Sequence, residues 1–333
     1  MINNVSGFSF LALAYNHEKY VIEHLESIKY LVSEYGKDIS CNLIINDDCS
    51  EDNTVSLINK WLDINAGLFG NVVKLYNKKN IGTCASVLNM LDYIGNDAIK
   101  LTACDDVYSY ENIFEYSVLP DSISMRTGIP LSLVNGKLFK SKLDVLSVLS
   151  SSIIYKDKKL ISRFKFLSNN NAPNIIYNKK YLTSPQVKSF ISGFDVVEDW
   201  PAQVSIAKNF PSAKFDIVKK VFVYYRRTSG SAYIIANDRF LKDKVKVYEY
   251  LIGSERSKFS AVVLKNRLYL FKRGSWFANK LLNLSFYYYL YSMFKNIFPI
   301  VFQSNVLNLD VEKHVEHYSL ISVRADYFLK IIE

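Results

Sequence analysis

The sequence predicts an α/β fold, a mostly parallel sheet flanked by helices, followed by a helical C-terminal region. Three observations predict it. Segments 8–14, 43–46, 72–76 and 98–103 read as strands, and the apolar runs that hold the second and fourth, 41–48 and 99–106, as strands buried on both faces, the habit of parallel sheets. Amphipathic stretches at 19–34, about 54–65 and 83–93 alternate with them, as in βαβ units. Beyond about residue 237 the pattern is helical.

Each strand has its own punctuation. The first is followed by a turn at Tyr15-Asn16-His17, and the second by Cys49-Ser50-Glu51-Asp52-Asn53-Thr54. Asp52, Asn53 or Thr54 in that loop suits a helix N-cap. Asn80-Ile81-Gly82-Thr83 leads into the third helix. From 121 to 178, breaks at Pro120, Pro130, Asn169-Asn170-Asn171 and Pro173 suggest short elements and loops over a crevice. The expected division is 1–236, with halves 1–120 and 121–236, and a helical region 237–333.

The second and fourth strands each end in paired aspartates, Asp47-Asp48 and Asp105-Asp106. Strand ends at the carboxyl edge of an α/β sheet face the ligand crevice. Adjacent like charges repel, so such pairs call for a cation, a hydrogen-bond donor or solvent. A hard divalent cation binds through one or two carboxylates plus substrate phosphates, which points to a nucleotide-diphosphate site with a metal. Ala14-Tyr15-Asn16-His17 is not the glycine-rich turn of a dinucleotide cofactor site.

Composition narrows the class. The 333 residues are 49% hydrophobic, with 24 Tyr and 21 Phe, which excludes a disordered chain. Four cysteines form no CxxC pair, and residues 1–5 lack the basic flank and apolar stretch of a signal peptide, so the expected location is the cytoplasm. The net charge of +9 is concentrated at 241–300, where eleven Lys/Arg face three acids. Trp276, Phe277, Phe286, Tyr287, Tyr288, Tyr289, Tyr291 and Phe294 share that stretch. Basic charge beside aromatic helix suits an anionic membrane surface, peripherally, because the uncharged run 281–294 is too short to span. A tyrosine-rich helix packing on its own domain is the alternative. No nucleic-acid motif is present, and none is expected as partner.

Several segments together resemble inverting glycosyltransferases of family 2, on the GT-A fold. Phe10 to Tyr20 is similar to the family's opening strand and Tyr-Asn turn, and Ile45 to Thr54 to its Asp-Asp-Gly-Ser-x-Asp-x-Thr element. Asn80-Ile81-Gly82 with Asn89 resembles its Asn-x-Gly loop and helix asparagine, and Cys104-Asp105-Asp106 its Asp-x-Asp metal motif. Gly193-Phe194-Asp195 with Glu198-Asp199-Trp200 is similar to its catalytic region, and Tyr224-Tyr225-Arg226 to Ser231 to its Tyr-Arg stretch. Two departures stand out: Cys49 replaces a glycine, and Cys104 replaces the first acid of the metal motif.

The resemblance implies roles. Tyr15, Asn16, Asp47, Asp48, Gly82 and Asp105 would hold the nucleotide, and Arg226 the diphosphate. Asp106, with Asp105, would bind Mn²⁺ or Mg²⁺. Asp199 would be the general base, with Glu198 beside it raising its proton affinity, while Trp200 and Gly193 would border the sugars. The donor would be a nucleotide-sugar, most often a UDP-sugar. The acceptor would be a glycan hydroxyl, polyprenyl-diphosphate-linked, at the inner face of the plasma membrane, as in surface-polysaccharide synthesis. A sugar nucleotidyltransferase and a non-catalytic sugar- or nucleotide-binding protein are the rivals. His314 and His317 read as an exposed helix face rather than a metal pair.

Overall fold

A computed structural model describes residues 7–227 and 238–332. Strands β1 (Gly7–Ala14), β2 (Ser40–Asp47), β3 (Asn71–Tyr76) and β4 (Ala98–Ala103) alternate with helices α1 (Val21–Tyr35), α2 (Thr54–Asn65) and α3 (Thr83–Leu91). All four strands pair in parallel, in the order β3-β2-β1-β4. Because side chains alternate across a strand, β1 feeds two cores. Phe8, Phe10 and Ala12 pack with α1 and α2, whereas Leu11 packs with α3. The chain builds outward from β1 to β3, then returns to place β4 on the other side of β1. The carboxyl ends of β1 and β4 therefore flank a topological switch point, where open α/β sheets bind ligands. Asp52 starts α2: its Oδ1 accepts from Thr54 N at 2.9 Å and from the Thr54 hydroxyl at 2.5 Å.

The middle of the chain is more regular than its Pro and Asn breaks suggest. It holds β5 (Val107–Tyr108), β6 (Ile123–Thr127), β7 (Leu131–Val134), β8 (Lys137–Phe139), β9 (Ile176–Asn178), β10 (Lys214–Ile217) and β11 (Val223–Arg226). β9 runs antiparallel to β4 and β6, and β10 lies parallel to β6, extending the main sheet to seven strands. β5, β11, β7 and β8 form a separate four-stranded sheet. Helix α4 (Lys142–Tyr155) begins at Ser141, whose hydroxyl accepts from Asp144 N at 3.1 Å, and buries Val145, Val148 and Leu149. Short helices α5 (Leu160–Lys165), α6 (Lys179–Leu182) and α7 (Pro185–Ile191) precede α8 (Asp199–Asn209).

Helices α9 (Asp238–Gly253) and α10 (Lys258–Arg273) bury Val247, Tyr248, Leu251 and Leu264 in the core around α3, α7 and α8. They are followed by α11 (Trp276–Leu281), α12 (Leu284–Lys295), α13 (Ile297–Asn305) and α14 (Val311–Ile332). Ala325 and Phe328 of α14 pack into the core around α1. His314 and His317 are buried, contrary to the exposed face expected of them. The Tyr224 hydroxyl pairs with His314 Nδ1 at 2.9 Å, and His317 Nε2 donates to the Tyr108 carbonyl at 3.2 Å. Burial pulls both imidazoles down to about 4, so they are neutral parts of the core. The two positions share a helical stripe with the buried Tyr318 and Ile321, a long-range docking that local sequence does not announce. Thr228 to Ser231, at the end of the Tyr-Arg stretch, and the boundary expected at 236 lie outside the described residues.

Candidate active site

A cavity of about 1140 Å³ opens at the carboxyl ends of β1 and β4. Tyr15, His17, Asp48, Gly82, Asp105 and Asp106 line it together with Glu198, Asp199 and Trp200. Acids far apart in sequence thus face one space, though each has a different environment.

Asp47 and Asp48 are occupied by their own neighbourhood. Asp47 accepts from Ser50 N at 2.9 Å and from the Ser50 hydroxyl at 2.5 Å, closing the turn after β2. Asp48 accepts from Ile81 N (2.8 Å), Gly82 N (2.9 Å) and Asn77 Nδ2 (2.9 Å), so it anchors the Asn80-Ile81-Gly82 loop. Asn16 pins the first loop to the second: its N–H donates to Ser50 Oγ at 2.8 Å, and its Oδ1 accepts from Glu51 N at 2.9 Å. Tyr15, 46% exposed, stands at the cavity wall. Cys49 adopts φ +67°, the left-handed conformation that a glycine would take without steric cost. The turn therefore survives the replacement.

Asp106 is 3% exposed, and its Oδ1 accepts from Arg226 N at 2.7 Å. Burial, then the charge of Asp105, pushes its carboxyl well above the usual carboxylate range. A cation in the cavity would offset both effects, so the acids fit one. Among the described residues no group of three or more His, Cys, Asp or Glu is placed to hold a metal. Such a cation would complete its shell from substrate phosphate and water, as magnesium does. Cys104 is fully buried in the core around β1 and faces no ligand space. His24 of α1 supports the turn from below, its Nδ1 donating to the Asp106 carbonyl at 2.8 Å.

Arg226 is placed otherwise than the diphosphate role would require. It pairs with Glu23, donates from Nε to the Asp105 carbonyl at 2.5 Å, and lies 4.5 Å over the Tyr20 ring. Alternation along β11 sends its side chain away from the cavity, which Tyr225 and Arg227 line instead. Gly193 likewise does not border the cavity; its carbonyl accepts from Lys246 Nζ at 3.0 Å.

Glu198 and Asp199 open α8, where the helix dipole favours negative charge. Burial, then the neighbouring Asp199, pushes the Glu198 carboxyl up to about 8, and Lys244 partly opposes this. Like-charge repulsion within the pair thus adds to burial in raising the proton affinity of Glu198. Asp199 Oδ1 accepts from Trp200 N at 2.6 Å. Trp200 is fixed by its Nε1–H to the Phe164 carbonyl (3.1 Å) and an edge contact with Tyr248.

Sequence reasoning missed several cavity residues. His17 has a buried Nδ1 without a partner among the described residues, and burial lowers its proton affinity. Its place in the Tyr-Asn turn was the available signal. Tyr177, Lys244 and Arg267 also line the cavity from stretches that carry no motif, and Gln203 does so one turn after Glu198-Asp199-Trp200.

Residues 9–115 match the family model "Glycosyl transferase family 2". No curated protein matches the sequence. Among solved structures, S. aureus TarS 1–349 in complex with UDP-GlcNAc superposes with a TM-score of 0.56 at 14% identity, covering 94% of this chain and 90% of that one. Mannosyltransferase PcManGT from Pyrobaculum calidifontis, in complex with GDP-Man and Mn²⁺, gives 0.55 at 12% identity, covering 98% and 88%. Against the longer S. aureus TarS chain the TM-score is 0.52 at 14% identity, covering 78% of this chain and only 42% of that one. At such identities the likeness is one of fold.

Proposed function

We propose, for a chain that carries a family 2 glycosyltransferase domain on a GT-A fold, an inverting, cation-assisted transfer of a sugar from a nucleotide-sugar to a glycan hydroxyl. The observation that carries this reading is the shared cavity, which Asp105, Asp106, Glu198 and Asp199 all line. UDP-GlcNAc and GDP-Man are the donors bound in the structural neighbours, and a UDP-sugar is the first candidate here.

The residues divide the work. Tyr15 and the loops anchored by Asn16, Asp47 and Asp48 form the wall for the base and ribose. Gly82 sits at φ +87°, and a Cβ there would come within 2.4 Å of Asp195 Oδ1, so the donor loop lies directly against the loop leading to α8. Asp105 and Asp106 would hold Mn²⁺ or Mg²⁺, which would neutralise the charge developing on the leaving diphosphate. Burial holds the Glu198 carboxyl up to about 8, so it keeps its proton at neutral pH; Asp199, which lines the same cavity, is the group assigned to accept the proton of the attacking hydroxyl. Trp200 and Tyr177 supply the faces against which a sugar would rest.

The acceptor reading draws on the C-terminal helices. Tyr289 packs α12 on α4, its hydroxyl donating to the Ser147 carbonyl at 3.0 Å. The opposite faces of α12 and α13 are apolar and uncovered: Phe294 is 71% exposed, Phe298 86% and Phe302 68%. Lys272, Arg273 and Lys295 stand exposed nearby in sequence. Aromatic residues beside cations suit attachment to an anionic lipid surface, and among the described residues no helix is long and apolar enough to cross a membrane. A lipid-linked acceptor at such a surface, as in surface-polysaccharide assembly, follows from that reading.

The test is a donor screen. Incubation with Mn²⁺ or Mg²⁺, an acceptor glycan and a panel of nucleotide-sugars should release nucleoside diphosphate from one donor class. Release from none, with the protein folded, would reject the reading.

A further inference from the structure

Asp243 of α9 is 1% exposed and has no part in the chemistry described above. A buried carboxylate is costly unless donors surround it. Its donors are three consecutive backbone amides, with Oδ2 accepting from Asp195 N (2.9 Å), Val196 N (2.7 Å) and Val197 N (3.1 Å). Successive N–H groups converging on one oxygen form an anion-binding nest, here filled by the protein's own carboxylate. The chain so gripped runs directly into Glu198 and Asp199.

The same helix makes a second hold on that loop. Arg239, one turn before Asp243, forks onto Asp195 at 2.5 and 2.6 Å and reaches Asn80 Oδ1 at 3.3 Å. The Asp195 carbonyl accepts from Cys84 N at 3.0 Å, so the loop is also tied to the start of α3. Lys244, beside Asp243, lies 4.9 Å over the Trp200 ring. One face of α9 thus touches the donor loop, the catalytic loop and the sugar-facing tryptophan.

We propose that α9 is the clamp that sets the position of Glu198 and Asp199, with Asp243 as a positioning residue acting through the backbone of 195–197. Arg239 couples the clamp to the donor loop. The inference rests on the transferase reading for its kinetic consequence, although the clamp itself is a matter of geometry. Displacing a general base by a fraction of an ångström lowers turnover without weakening a donor bound by other residues.

The test compares the full-length wild type with Asp243→Asn and Asp243→Ala. Asparagine keeps the shape but loses the charge that three amides share. Expected is a fall in kcat on the order of 10²-fold with donor KM within about threefold, larger for Ala than for Asn. Wild-type kcat in a folded Asp243→Asn variant overturns the proposal. So does a rise in donor KM equal to the fall in kcat, the mark of general loosening. A second measurement needs no variant: amide hydrogen exchange in the wild type should show residues 195–197 protected despite lying in a loop. Fast exchange there, with sugar transfer intact, overturns the clamp alone; absent transfer with every donor, with those amides protected, sinks the transferase reading and leaves the clamp standing.

Discussion

Replacing Glu198 by glutamine should remove a pH dependence of stability that the wild type carries. Unfolded, Glu198 ionises near its ordinary 4.5; folded, burial and Asp199 hold its proton up to about 8. Between those values the native state binds one proton more than the unfolded state. Stability therefore falls as pH rises, by about 1.4 kcal/mol per pH unit. The contribution is complete below pH 4.5 and gone above pH 8. From pH 6 to pH 8 the loss amounts to roughly 2–3 kcal/mol, a ceiling because the carboxyl retains some contact with the cavity. Glutamine does not titrate, so Glu198→Gln should lose less stability over that interval. The assay is urea denaturation of both proteins at pH 6 and pH 8. The difference between their two pH responses isolates Glu198 from other groups, including the buried Asp106. Equal responses would refute the assignment of the raised proton affinity to Glu198.

Three other expectations are open to direct measurement. Cys49→Gly should leave the melting temperature unchanged or raise it, by up to about 1 kcal/mol of stability, because Cys49 occupies a left-handed position; a clear loss would show that the thiol itself is needed. Asp106→Asn should fold normally, yet cation-stimulated transfer should fall roughly 10²-fold or more, and unchanged stimulation by Mn²⁺ would remove Asp106 from the cation site. Phe298→Glu together with Phe302→Glu should weaken binding to anionic vesicles at least about tenfold while sparing transfer to a soluble acceptor; equal vesicle binding would reject the α12–α13 surface.

What the sequence disclosed, and what it hid, follows from how each feature is encoded. β1, β2 and β4 are written as largely apolar runs because they lie inside the sheet, whereas β3 at its edge is half-exposed and carries Asn71 and Lys74; Asp48 and Asp105 follow the ends of β2 and β4 because the crevice begins there. Local turn chemistry was legible as well, as Asp52 at the start of α2 shows. The four-stranded sheet was not, because β5 has two residues and β8 three, too short for a period-2 pattern to register. Arg226 illustrates a different failure. A motif supplies residue type, but the direction of a side chain depends on its parity in the strand, and β11 turns Arg226 toward Glu23. The grip of Asp243 on residues 195–197 pairs groups more than forty positions apart and leaves no local trace. The buried histidines of α14 escaped for the same reason: their partners, Tyr224 and Tyr108, lie on β11 and β5.

The central claim is that Asp199 takes the acceptor's proton within the cavity where the nucleotide-sugar binds. Its most direct test is Asp199→Asn, with donor binding measured by calorimetry and turnover by release of nucleoside diphosphate in the presence of acceptor. Donor affinity should stay within about twofold while transfer falls by at least roughly 10²-fold. Transfer at the wild-type rate would contradict the account.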